Sequence, residues 1–159
     1  MTELKDKRVF VTGSAAGIGK AIAALFIERG ARVIISDRDK TAANDTATEL
    51  GAAGVANCDV TDEAQVQSAI TEAVGVLGGL DVLVNNAGIE ISTPLLQQST
   101  SSFDEIFAVN VRGPFVAMKA AIGHLVESGG NIVNISSIAA SAAAPCSDHI
   151  VRQRLRSSR

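Results

Sequence analysis

The chain has 159 residues, a formal net charge of −3 and a sequence pI near 5.3, which suffices for one ordinary domain and not for two. Hydrophobic residues make up 47% and charged residues 19%, with 3 prolines, so the composition excludes bulk disorder and leaves enough apolar surface for a core. The first eight residues mix both signs of charge, unlike a secretory leader. The apolar stretches are broken before the roughly 18 residues of a membrane helix, so neither a signal nor a span is expected. Cys58 and Cys146 stand far apart in the sequence, so no disulfide framework and no metal site is expected, and a reducing cytoplasm fits best.

In chain order, an apolar β-branched run at 8–12 predicts a strand. A Gly-rich turn follows, then helical spacing over 18–29 with Gly30 as the stop. A second strand is expected over 32–37, a helix over 40–50, a third strand over 54–59, and a helix from the capping signal Thr61-Asp-Glu to Leu77. The fourth strand, 80–84, leads into Asn85-Asn-Ala-Gly88 and a loop through Pro94. Helices are expected over 103–110 and 113–127, then a fifth strand over 131–135. Continuous apolar strands alternating with helices imply an α/β fold, a doubly wound parallel sheet covered on both faces.

The last segment differs in composition. Residues 152–159 hold four of the chain's nine arginines. A solvated basic tail is the expected reading, and nucleic-acid binding is not expected because the rest of the chain is acidic. The boundary therefore falls between a nucleotide-binding portion, 1–145, and an aberrant basic tail, 146–159.

Gly13, Gly17 and Gly19 sit between a strand and a helix, where Gly13 permits a sharp turn, Gly17 lets the backbone approach a pyrophosphate and Gly19 packs helix on strand. The helix start, with Ser14 and Ile18 in the same turn, offers amide donors and the positive dipole end to phosphates. Asp37 ends the second strand roughly eighteen residues on, where a carboxylate accepts hydrogen bonds from ribose hydroxyls and opposes a 2′-phosphate. NAD is favoured over NADP, although Arg38 next door is a guanidinium able to meet a phosphate.

Thr12-Gly-x-x-x-Gly-Ile-Gly19, Asp37, Asp59-Val60, Asn85-Asn-Ala-Gly88, Asn110 and Asn134-Ile-Ser-Ser137, in this order, resemble the short-chain dehydrogenase/reductase family over residues 5–145. The resemblance implies a Rossmann sheet, here incomplete at about five strands in the order 3-2-1-4-5, and NAD(P)-linked oxidation of a secondary alcohol or reduction of a ketone. It also implies that Asp59 and Val60 flank the adenine, and that Asn86, Ala87 and Gly88 run along the adenosine side. Ser137 would hydrogen-bond the substrate oxygen, and Asn110 would lie on the helix that holds a relay water.

The departure is as specific as the match. The family's tyrosine belongs about a dozen residues beyond Ser137, with its lysine four later. Those positions read Ile150 and Arg154, and the sequence contains no tyrosine. His149 lies beside the first position, but its side chain would point about 100° away round a helix. The lost Tyr and Lys, the dense arginines and the early stop together suggest a frameshift or a truncated gene after about residue 145. The expectation is a catalytically defective dehydrogenase, with an exposed fifth strand, poor solubility and self-association or aggregation. The alternatives are a non-catalytic NAD-binding module or an interaction partner of a full-length relative. The substrate itself is not legible.

Overall fold

The computed structural model describes residues 4–137; the basic tail, with Ile150 and Arg154, lies outside them. Five strands, β1 (Arg8–Thr12), β2 (Arg32–Asp37), β3 (Gly54–Asn57), β4 (Val82–Asn85) and β5 (Asn131–Asn134), form one sheet in the order β3-β2-β1-β4-β5. Every pairing is parallel, with Val11 opposite both Ile35 and Val84. The helices are α1 (Gly17–Glu28), α2 (Lys40–Leu50), α3 (Glu63–Leu77), α4 (Thr100–Phe107) and α5 (Gly113–Ser128). This is the doubly wound α/β sheet that the sequence pattern implies, in the incomplete Rossmann-type order that the resemblance implies.

Side chains that alternate along each strand divide the core in two. Val9, Val11, Val33, Ile35, Val82 and Val84 face α1 and α2, whereas Phe10, Ile34 and Leu83 face α3 and α5. With both faces covered, polar residues are absent from the middle of the central strands, and the strands read as unbroken apolar runs.

Helix ends follow from local chemistry. Asp39 accepts a hydrogen bond from the Ala42 amide at the start of α2, and Asp62 accepts from Ala64 and Gln65 at the start of α3. These amides hold the Asp62 carboxyl below the usual range, the Gln65 amide most of all. The carbonyl end of α3 meets two arginines from the sheet: Arg32 donates to Val76 and Leu77 at 3.0 and 2.8 Å, and Arg8 to Gly78 at 2.7 Å.

The third strand ends at Asn57 and the fourth begins at Val82, each two residues inside the expected bound, and the largest departure is at the fourth helix. In place of a helix over 103–110, α4 begins at Thr100, capped by Ser99, and passes through a π turn, Ala108–Arg112, into α5. The resulting run, Thr100–Ser128, has 29 residues and is apolar enough by length and composition alone to cross a membrane. Val116, Ala117, Ala121 and Leu125 pack against the sheet, and 28% of the most apolar window of the run is buried.

Candidate cofactor and active site

The carboxyl ends of β1 and β4 lie side by side where the strand order reverses, the place where open α/β sheets leave a crevice. A cleft of about 430 Å³ opens there. Its walls bring together nine of the expected residues: Gly13, Gly17 and Ile18 from the turn after β1, Asp37 after β2, Asp59 and Val60 after β3, and Asn86, Ala87 and Gly88 after β4.

The turn is held from three sides. The Thr12 hydroxyl accepts hydrogen bonds from the amides of Asn86 and Ala87, both at 3.0 Å, and Asn86 Nδ2 donates to the carbonyls of Thr12 and Gly13. Gly13 has φ +61°, and a Cβ there would lie 2.8 Å from Ala87 Cα, so β1 and β4 approach too closely for any side chain at that point. Asp37 Oδ2 accepts from the Ala15 amide at 3.2 Å and Oδ1 from the Asp39 amide at 3.1 Å, which fixes the carboxylate at the cleft wall.

Ser14 and Gly19 lie behind the wall. Ser14 is fully buried; its hydroxyl donates to the Val11 carbonyl at 2.8 Å and accepts from the Ser36 amide at 2.9 Å. Gly19 is buried against the Gly13 carbonyl and Asn86 Nδ2. In contrast with α2, α3 and α4, helix α1 starts without a side-chain cap, at Ala16. Ala16, Gly17 and Ile18 at its start line the cleft, and first-turn amides without a cap suit a phosphate.

Asn110 stands in the π turn, and its amide group binds both backbone groups of Ile89: Oδ1 accepts from the Ile89 amide at 2.9 Å and Nδ2 donates to its carbonyl at 2.8 Å. Ile89 in turn lines the cleft. Ser137 is exposed, three residues past β5, and does not line the cleft, although Asn134 pairs with Asn85 at the same sheet edge.

Sequence reasoning missed Ala16, Cys58 and Val109 as wall residues. For Cys58 the only signal was its place before Asp59. Burial first, then the neighbouring Asp59 charge, pushes its thiol up to about 11. In a chain carrying Cys146→Ser, alkylation at about pH 8 is therefore expected to run two orders of magnitude slower than at a free thiol. A rate within about tenfold of free cysteine would contradict the buried, protonated thiol.

A doubly wound parallel sheet with a glycine-lined cleft at its switch point defines the Rossmann class. Within it, the short chain dehydrogenase family matches residues 7–148. Relatives include a sorbitol dehydrogenase of Cereibacter sphaeroides, 39% identical over 84% of this chain and 54% of its own length. An L-fucose dehydrogenase of Oryctolagus cuniculus is 40% identical over 83% of this chain and 47% of its own length. An uncharacterized oxidoreductase of Staphylococcus aureus (strain MRSA252) is 37% identical over 87% and 61%. The chain belongs to the short-chain dehydrogenase family of oxidoreductases, and it spans about half the length of the curated relatives it matches.

Proposed function

We propose that this chain is the NAD-binding portion of a cytoplasmic oxidoreductase that interconverts a secondary alcohol and a ketone, and that by itself it binds NAD without appreciable turnover. The observation that carries this reading is the cleft with the uncapped α1 amides at one wall and Asp37 at another. The residues suit the dinucleotide: Gly17 lines the cleft, and a Cβ built there meets nothing within 4 Å, which leaves room for a pyrophosphate against the backbone. Asp37 would bind the adenosine ribose hydroxyls, Asp59 and Val60 would flank the adenine, and Asn86, Ala87 and Gly88 would line the adenosine side.

NAD, when bound, supplies a hydride acceptor. The chain's part in the chemistry is to orient and to handle the proton. Asn110 holds the Ile89 backbone at the cleft wall, and Ser137 would hydrogen-bond the substrate oxygen. Proton transfer at that oxygen lacks a phenol, because the sequence has no tyrosine, and a missing general acid or base alone lowers a rate by about 10² to 10⁴. The sorbitol and L-fucose dehydrogenases among the relatives make a carbohydrate hydroxyl the first substrate class to test. Exposed Phe115 and Val126 on α5 support self-association.

Calorimetric titration of the chain with NAD and NADP tests the reading. Saturable binding tighter for NAD is expected, with the preference lost in Asp37→Ser and no NADH formed from sorbitol or L-fucose. Absence of binding by either nucleotide would overturn the cofactor assignment, and steady NADH formation would overturn the claim of inactivity.

A further inference from the structure

Ala15 sits between Gly13 and Gly17, both with positive φ, so the turn has little stiffness of its own. Both backbone groups of Ala15 are nevertheless bound by side chains from other elements. Asp37 Oδ2 accepts from its amide at 3.2 Å, and the Thr46 hydroxyl donates to its carbonyl at 2.7 Å. Thr46 belongs to α2, is 4% exposed and does not line the cleft. Nearby, Lys20 on α1 pairs with Glu49 on α2 at 2.7 Å.

A trans peptide is planar, with its C=O and N–H on opposite sides. The Thr46 bond to the Ala15 carbonyl therefore directs the Ala16 amide away from α2. Ala16 lines the cleft and starts α1.

We infer that Thr46 is a positioning residue for the pyrophosphate of a bound dinucleotide: its hydroxyl, from outside the cleft, aims the Ala16 amide at the phosphate. The inference rests on the nucleotide reading above and adds a residue that no local motif marks. Asp37 braces the amide side of Ala15 from the same wall that would bind the ribose, so the ribose and phosphate ends of the site share one bracket. Without the hydroxyl, the turn must be ordered at the moment of binding, and that ordering weakens the complex.

The test compares the unaltered chain with Thr46→Val, which keeps the shape and removes the hydroxyl, and Thr46→Ser, which keeps the hydroxyl. Titrations use NAD and adenosine, the latter having no phosphate. Thr46→Val is expected to bind NAD about tenfold more weakly, with adenosine affinity unchanged and NAD affinity restored in Thr46→Ser. Equal weakening toward NAD and adenosine would make Thr46 a general structural residue and overturn the inference, as would unchanged NAD affinity.

Should Thr46→Val fail to fold, the Ala16 amide resonance of the unaltered chain decides the matter. A shift on addition of inorganic pyrophosphate is expected, and none would overturn the inference. If the unaltered chain binds NAD but Thr46→Val matches it, only the role of Thr46 falls. If the unaltered chain binds no NAD, the nucleotide reading falls and this inference with it.

Discussion

Gly19→Ala is expected to abolish measurable NAD binding and to destabilise the fold by about 3 kcal/mol. The methyl would meet the Gly13 carbonyl oxygen, lie 2.5 Å from Asn86 Nδ2 and 2.9 Å from the Gly13 carbonyl carbon. Two of these are backbone atoms of the turn, which cannot rotate away as a flexible side chain would. The third belongs to the amide that donates to the carbonyls of Thr12 and Gly13 at 3.1 and 2.9 Å. One methyl therefore breaks the interlock between β1 and β4 and displaces the start of α1. Gly123→Ala is the control. A Cβ at Gly123, inside α5, meets nothing within 4 Å, so the same change should stabilise by about 0.5–1 kcal/mol. Urea unfolding followed by circular dichroism measures both. A Gly19→Ala chain with unaltered stability and NAD affinity would contradict the packing described.

Asp81→Ala should cost about 3 kcal/mol, a fall in Tm of about 10 °C. Asp81 Oδ2 accepts from the Arg8 backbone amide and from Nε, both at 2.8 Å, and Oδ1 accepts from Nη2 at 2.9 Å. The pair is largely enclosed, with side chains 26% and 11% exposed, so its loss leaves Nε, Nη2 and the first β1 amide without their acceptor, while Nη1 keeps only the Gly78 carbonyl. The Arg8 guanidinium hydrogen bond, aided by the Arg8 amide and both lysine and arginine charges, holds the Asp81 carboxyl below its ordinary value. A carboxyl lowered on folding contributes stability above its unfolded pKa of about 3.9, and that contribution disappears as pH falls through the folded value. The gap between the unaltered chain and Asp81→Ala should be full above about pH 5 and narrow in strong acid. A gap independent of pH would show that the charge plays no part.

Much of the scaffold was legible because it is local. Apolar runs such as 33–35 mark strands buried on both faces, and the capping signal Thr61-Asp-Glu marks the start of α3, where Asp62 is the cap. The π turn was not legible, because one extra residue in a helical run leaves the apolar spacing of Ile106, Val109 and Gly113 looking like an ordinary helix. The cleft glycines announced themselves by position, yet Ser14 turned inward to Val11 and Ser36. Thr46 and Asn57 gave no sign. Asn57 Nδ2 donates to the carbonyls of Asp37 and Arg38 at 2.9 and 3.0 Å, and Thr46 reaches across 31 positions to Ala15. Such bonds depend on how elements meet, which no periodicity encodes.

The central pairing of β1 with β4 also sets an order of events during synthesis. Arg8 and Asp81 are 73 residues apart, so at translation rates of about 5–20 residues per second the first strand waits about 4–15 s for its neighbour. Through that interval β1 can pair only with β2, and the turn after it has Asp37 and Thr46 as supports but not yet Asn86 and Ala87. A nascent chain that ends before residue 87 therefore presents half a cradle.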